Sequence, residues 1–241
     1  MTGTILNVFT VLIGTALGVL LGGRLPEKLK QTVVAGLGLF TFAIGIQMFL
    51  KTGNALVVLG SLVVGALLGE WWKIEEGLAA VGAWLEARFN KGGAEQAQGS
   101  QERFVRGFLT ASLLFCVGPM TILGAIQDGM TGDFQLLAIK SVLDGFAALA
   151  FSSSLGIGVG FSALTVLIYQ GGISLLAEQV KSVMSDTMMA EMTATGGVIL
   201  LGLALSSLLE VRKIRTGSFL PALVVAPLLV ALIAWIGPLL P

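Results

Sequence analysis

Histidine does not occur in this 241-residue chain, cysteine occurs once, at Cys116, and tyrosine once, at Tyr169. Without histidine, the usual zinc sites and every His-dependent catalytic triad fall away, and a single cysteine rules out an internal disulfide. Charge is equally scarce: Lys, Arg, Asp and Glu make up 12% of the residues, against about 25% in an ordinary soluble domain. What fills the chain instead is apolar: 55% hydrophobic residues and a mean hydropathy of +0.94.

Those residues are gathered into charge-free runs at 1–23, 31–50, 52–69, 107–127, 145–177, 192–209 and 216–241. A bilayer core about 30 Å thick needs about 20 apolar residues per helix, and most of these runs have that length. Run 145–177 is too long for one span and is read as the end of one helix, a turn around Ser152-Ser153-Ser154-Leu155-Gly156, and most of the next. Uninterrupted apolar runs are not the short alternating segments of a transmembrane β-barrel. The expected fold is an all-α polytopic transmembrane bundle of about eight spans, near 4–23, 31–50, 54–71, 107–127, 134–151, 156–177, 193–210 and 217–237. The first run has no positive segment before it, and Arg24 and Lys28 follow it, so it reads as a retained helix and not as a cleaved signal.

Orientation follows from Lys and Arg in short loops. With both termini outside, eleven of the fourteen basic residues fall on the inner face, leaving Lys51 and Lys181 outside and Lys140 within the membrane. An odd span count would scatter these clusters over both faces. The chain is therefore read as one integral membrane domain, 1–241, in which a hydrophilic insertion at 73–106 joins a three-span and a five-span portion. Residues 74–89 space Ile74, Leu78, Val81, Leu85 and Phe89 as an amphipathic helix along the inner surface, with Trp71, Trp72 and Trp84 at the interface. Residues 90–100 read as a flexible linker.

Two internal echoes stand out. Gly18-Val19-Leu20-Leu21-Gly22 matches Gly65-Ala66-Leu67-Leu68-Gly69, and Gly14, Ala16, Leu17, Leu20, Leu21 and Arg24 align with Gly202, Ala204, Leu205, Leu208, Leu209 and Arg212. They fit either parallel repeats of a helical hairpin or the chance likeness of small-residue helices; the glycines themselves read as packing faces.

Between Asp133 and Glu178 the only charges are Lys140 and Asp144. Each costs roughly 2.5–3.5 kcal/mol at the centre of a span, so the two must be compensated. Four residues apart, they share a helix face and can pair. Such a pair either neutralises itself as a packing device or borders a hydrated cavity where Asp144 takes a proton or cation and Lys140 competes for it. Pro119, after Gly118, should kink span four and free backbone groups, and Asp128 with Gln127 and Asp133 follows at its outer end. Glu191, Thr193 and Thr195 at the head of span seven read as oxygen ligands or as a helix cap. The neighbouring methionines read as gap fillers before soft-metal ligands. Pro221 and Pro227 should bend span eight, and Glu210 should pair with Arg212 or Lys213.

Several of these stretches, in this order, make the chain resemble the YqgA/YdfK-like family (domain of unknown function 554) of bacterial inner-membrane proteins. They are Gly18-Val19-Leu20-Leu21-Gly22-Gly23-Arg24-Leu25-Pro26, Gly118-Pro119-Met120 with Gln127-Asp128-Gly129, Lys140-Ser141-Val142-Leu143-Asp144-Gly145-Phe146, and Met192-Thr193-Ala194-Thr195-Gly196-Gly197 with Lys213-Ile214-Arg215. The resemblance implies a plasma-membrane location and a conjectured transport role, and no substrate.

The expected function is a transporter or channel for a small ion or polar solute, with Lys140, Asp144, Pro119, Asp128, Glu191 and Thr193 as binding residues. No phosphate-loop signature accompanies the glycines, so ATP-driven pumping by this chain alone is not expected. The partners expected are the lipid bilayer, the transported species and a second copy of the chain through its glycine faces; no nucleic acid, metal or cofactor is expected. Two alternatives stay open. One is a structural or sensory protein that recruits a partner through helix 74–89. The other is an intramembrane hydrolase with Lys140 and Ser112 or one of Ser152, Ser153 and Ser154 as a dyad.

Overall fold

The computed structural model describes residues 1–22, 26–89, 97–117 and 119–236. Among these no strand occurs, and the protein is a polytopic helical bundle. Its helices are α1 (Thr2–Gly22), α2 (Glu27–Phe49), α3 (Ala55–Trp71), α4 (Ile74–Phe89), α5 (Ala97–Cys116), α6 (Pro119–Thr131), α7 (Gln135–Leu155), α8 (Gly158–Leu175), α9 (Ala177–Val183), α10 (Asp186–Leu203) and α11 (Ala222–Ile236). A π-helical segment, Ala204–Leu208, extends α10, and a 3₁₀ turn, Thr216–Phe219, precedes α11. Among the described residues six stretches are long and apolar enough to cross a membrane alone, or up to eight with two bent pairs.

Glycine decides how the helices pair. A Cβ on Gly14 would lie 2.2 Å from the Gly145 carbonyl oxygen, and one on Gly18 would lie 2.1 Å from Ser152 Oγ and 2.2 Å from the Leu149 oxygen. Only hydrogen fits there, so α1 and α7 run side by side, parallel, with their backbones nearly touching. The echoed motif in α3 is used the same way: Gly65 and Gly69 back onto Ala222 and Ser218, with α3 and α11 antiparallel. Gly45 and Gly197 bring α2 against α10, also antiparallel. Thus α1, α2 and α3 each find their partner in the second half of the chain.

These contacts give the bundle two ends. The near end holds Met1, the α2–α3 loop, the end of α6 and the start of α10; the far end holds Gly22, α4, the start of α5 and the loop after α10. Lys28, Lys73, Arg88, Arg103, Arg106, Arg212, Lys213 and Arg215 all belong to the far end, and Lys51 and Lys181 to the near end. Arg24 and Lys91 lie outside the described residues.

Helix α4 packs along the far end by burying Leu85 in one cluster with Phe104 and Phe108 of α5. Trp71, Trp72 and Trp84 remain exposed around it, as residues with an apolar body and a polar N–H do at a membrane interface. A turn through Lys73, at φ +52°, bends the chain by 56° from α3 into α4.

Four expectations need correction. Span four is not one kinked helix: α5 stops at Cys116, and α6 restarts at Pro119 after a 62° change of direction. Proline suits that first position because its missing N–H would have no helical partner there. Of the expected linker, residues 97–100 already belong to α5, while 90–96 lie outside the described residues, as does Gly118. Ser152, Ser153 and Ser154 form the last turn of α7 and not a loop; the chain turns one residue after Leu155, at Gly156 with φ +81°. The seventh span starts at Asp186 and not near 193, because Ser185 caps it by accepting from the Met188 N–H at 3.2 Å.

Candidate functional site

Lys140 and Asp144 lie on the face of α7 turned to α1, 6% and 8% exposed, and the Lys140 ammonium donates to Asp144 Oδ2. The same oxygen accepts from Asn7 Nδ2 of α1 at 2.9 Å. Asn7 Nδ2 also donates to Gln170 Oε1 of α8 at 3.1 Å, and Gln170 Nε2 donates to Thr4 Oγ1 at 3.1 Å. Three helices therefore meet at one buried polar centre, held together by amides as well as by charge. A carboxylate whose partners are an ammonium and an amide N–H is compensated enough to sit inside a bundle, where a lone charge would not be.

The centre is reached from the near end by further polar groups. Asp128, at the end of α6, accepts from the Gly3 N–H at 3.1 Å and pairs with the Met1 ammonium at 3.0 Å, so a carboxylate closes the first turn of α1. Its other oxygen, Ser174 Oγ and Asn7 Oδ1 are all buried without a hydrogen-bond partner in the protein. Buried polar groups are rarely left so, and three of them step inward along the α1–α6–α8 contact. From Met1 to Asn7 the descent is about 9 Å at the helical rise of 1.5 Å per residue.

The helix break lies beside this centre. Cys116, at the end of α5, is within range of the charges of both Lys140 and Asp144. It lines a small cavity with Tyr169, Met192 and Thr193. The α6 side is tied back by Thr121 Oγ1, which donates to the Phe115 carbonyl at 3.1 Å across the gap. Such a bond holds a broken helix in place without restoring its ladder.

Of the expected site residues, Lys140 and Asp144 are joined directly, Asp128 is bound to the first turn of α1, Pro119 starts α6 at the break, and Thr193 lines the cavity beside Cys116. Glu191 goes elsewhere. Its carboxylate, 1% exposed, accepts from Thr52 Oγ1 at 2.6 Å and from the Gly53 and Asn54 N–H groups at 2.7 and 2.9 Å. It therefore clasps the start of α3 and does not cap its own helix. Glu210 also chooses another partner than expected, Arg106 on α5, and not Arg212 or Lys213.

Asn7, Gln170 and Thr4 were not singled out by the sequence reading, which followed charge. The signal was there: Asn7 is the one amide in run 1–23 and Gln170 the one amide in run 145–177.

The serines do not offer Lys140 a partner. Ser152 is twelve residues further along α7, about 18 Å at 1.5 Å per residue. It donates to the Thr15 carbonyl at 3.2 Å, and Ser112 shares a hydrogen bond with Thr165 at 3.0 Å. Among the described residues no cluster of three or more Cys, Asp or Glu side chains is placed to hold a metal.

Residues 2–231 match the model of a family described as a protein of unknown function, DUF554. Over 234 residues the chain is 34% identical to the uncharacterized protein YqgA of Escherichia coli (strain K12), an alignment covering 97% of this chain and 98% of that one. Over 241 residues it is 28% identical to the uncharacterized membrane protein YdfK of Bacillus subtilis (strain 168), covering 98% and 99%. No solved structure matches the chain.

Proposed function

Because the chain belongs to the DUF554 family, whose description names no activity, we propose a function from the site itself: a transporter or channel of the bacterial inner membrane that moves a proton or small cation, alone or with a polar solute, through the centre at Asp144. The observation that carries this reading is the line of partnerless buried oxygens, Asp128 Oδ1, Ser174 Oγ and Asn7 Oδ1, leading from the near end to the Lys140–Asp144 pair. A pair that served packing alone would need no such approach, and an apolar pair would pack there without the desolvation cost. In this reading the near end faces outward, as the excess of Lys and Arg at the far end favours. The arriving proton or cation displaces the Lys140 ammonium from Asp144, and the freed ammonium is the signal that the site is loaded.

The wide separation of Lys140 from Ser152 and the pairing of Ser112 with Thr165 favour transport over hydrolysis. The test uses purified protein in liposomes loaded with a pH-sensitive dye, with a potassium diffusion potential set by valinomycin and with sodium or potassium gradients in parallel. Wild-type protein is expected to carry protons or a cation above the leak of empty liposomes, and Asp144→Asn to abolish that flux while inserting normally. Wild-type liposomes as tight as empty ones to protons, sodium and potassium would sink the proposal, as would full flux in Asp144→Asn.

A further inference from the structure

At the far end a cavity of about 710 Å³ opens between α2, α5, α7 and the end of α10. Its rim is polar, with Glu102, Arg103, Arg106 and Glu210, and its floor is apolar, with Val34, Leu155 and Leu208. The floor continues without interruption into the main hydrophobic cluster, through Phe151 and Phe115 up to Cys116 beside the polar centre. Along α7, from Asp144 to Leu155, this apolar plug is about 16 Å thick at 1.5 Å per residue. The polar centre is thus separated from this vestibule chiefly by hydrocarbon, with the buried, partnerless hydroxyls of Thr15 and Thr110 as polar atoms at that depth.

The rim carries a device suited to moving that seal. Arg103 Nε donates to the Ser154 carbonyl at 2.8 Å, which fixes α5 to the last turn of α7. Arg106 instead reaches across to Glu210, on the segment that follows α10. That segment is strained twice. Leu209 N–H bonds back five residues to the Ala204 carbonyl, making the π turn, and Glu210 is held at φ +53°, a left-handed conformation costly for a residue with a side chain. Relaxing the π turn to α geometry shifts everything after it by one residue, about 100° around the helix axis. Leu208 would then leave the floor of the vestibule, and Glu210 would leave Arg106.

We propose that this vestibule is the second mouth of the pathway and that the Arg106–Glu210 ion pair is its gate, holding the π segment strained and Leu208 over the plug. The proposal rests on the transport reading above, and its test is an accessibility measurement that needs no flux. Cys116, the chain's single cysteine, lies at the inner end of the plug and serves as the native probe. A membrane-impermeant sulfonated methanethiosulfonate is applied to the face that carries Arg106, using inverted vesicles and spheroplasts to select the face.

Cys116 is expected to react slowly in the wild type and about fivefold faster in Arg106→Gln and in Glu210→Gln, the size of effect an exposed ion pair supports. The charge-exchanged variant Arg106→Glu/Glu210→Arg is expected to return the rate to within about twofold of wild type, which also shows that the fold tolerates changes at both positions. Glu102→Gln, a rim charge outside the pair, should leave the rate alone. Equal rates in all variants, or an equal rise in Glu102→Gln, overturn the gate. If the rates respond while the same vesicles carry no proton or cation, the transport reading fails, the second mouth falls with it, and only the ion pair's control of access to Cys116 stands; flux with an unresponsive Cys116 sinks the gate alone.

Discussion

Removing one member of the Lys140–Asp144 pair should hurt the fold far more than removing both. Asp144→Leu takes away the anion bonded to a lysine that is 6% exposed, and it strips Asn7 of one acceptor while leaving it Gln170 at 3.1 Å. Lys140→Met leaves a buried carboxylate with the Asn7 N–H at 2.9 Å as its remaining donor among the described residues. Breaking a buried pair from either side costs about 3–5 kcal/mol, chiefly because a charge is left uncompensated. In the double variant Lys140→Met/Asp144→Leu both charges are gone, and the residual cost is the unmet Asn7 N–H, about 1–3 kcal/mol. The single changes should therefore sum to at least about 3 kcal/mol more than the double change. Unfolding in mixed micelles of dodecylmaltoside and increasing dodecylsulfate, followed by far-ultraviolet circular dichroism, measures all four corners of the cycle. Additivity within about 0.5 kcal/mol would refute the reasoning, since it would mean that the two groups do not compensate each other. The double variant also separates packing from function: it should fold and carry no flux, and a folded, fully active double variant would reduce the pair to a packing element.

Two further predictions concern helix contact and acidity. Gly18→Ala places a Cβ 2.1 Å from Ser152 Oγ and 2.2 Å from a backbone oxygen, and should destabilise the protein by about 3 kcal/mol in the same titration; Gly36→Ala, with nothing within 4 Å, should stabilise it by about 0.5–1 kcal/mol. At the far end, burial raises the Glu75 carboxyl above its ordinary value of 4.5, against the opposing pull of the Gly217 N–H and of Arg215. The folded state therefore holds that proton more tightly than the unfolded one, and the stability it lends is lost as pH rises through the window just above 4.5. Glu76 behaves in the opposite sense: a backbone hydrogen bond and Arg215 lower it, so its contribution is present above 4.5 and lost as pH falls below. Melting curves between about pH 3.5 and about pH 6.5, on either side of the ordinary value of 4.5, should show Glu75→Gln flattening the decline on the alkaline side and Glu76→Gln flattening the loss on the acid side.

Much of the architecture could be read before any coordinates, because a membrane leaves few options: a run of about 20 apolar residues can satisfy its backbone there only as a helix. The amphipathic stretch 74–89 emerges as α4, Ile74–Phe89, since apolar spacing and helix geometry are the same information. Partner choice was another matter. Nothing local to Gly14 or Gly18 says that Gly145 and Leu149, more than 120 residues on, will lie against them. Glu191 reads from the sequence as an oxygen ligand of the site or as a cap of its own helix, yet the three donors it meets come from the α2–α3 loop. The polar centre was half legible: charge betrayed Lys140 and Asp144, whereas Asn7 and Gln170 cost less in hydropathy and so drew no attention. Amides inside apolar runs are worth the same scrutiny as charges, because a bilayer leaves them equally few partners.

The pairing of α1 with α7 also sets a schedule for the birth of the protein. Thr4 and Asn7 enter the membrane with α1, but their partners Gln170 and Asp144 are made some 140 to 170 residues later. At a synthesis rate of about 5–20 residues per second, α1 waits for roughly 7–30 s with its amide and hydroxyl unmatched. Helices α2 and α3 wait about as long for α10 and α11. The first three spans are in effect half of a zipper held open in the bilayer, and whatever shelters them during that interval, lipid, translocon or a chaperone of insertion, is as much a requirement of this fold as any contact within it.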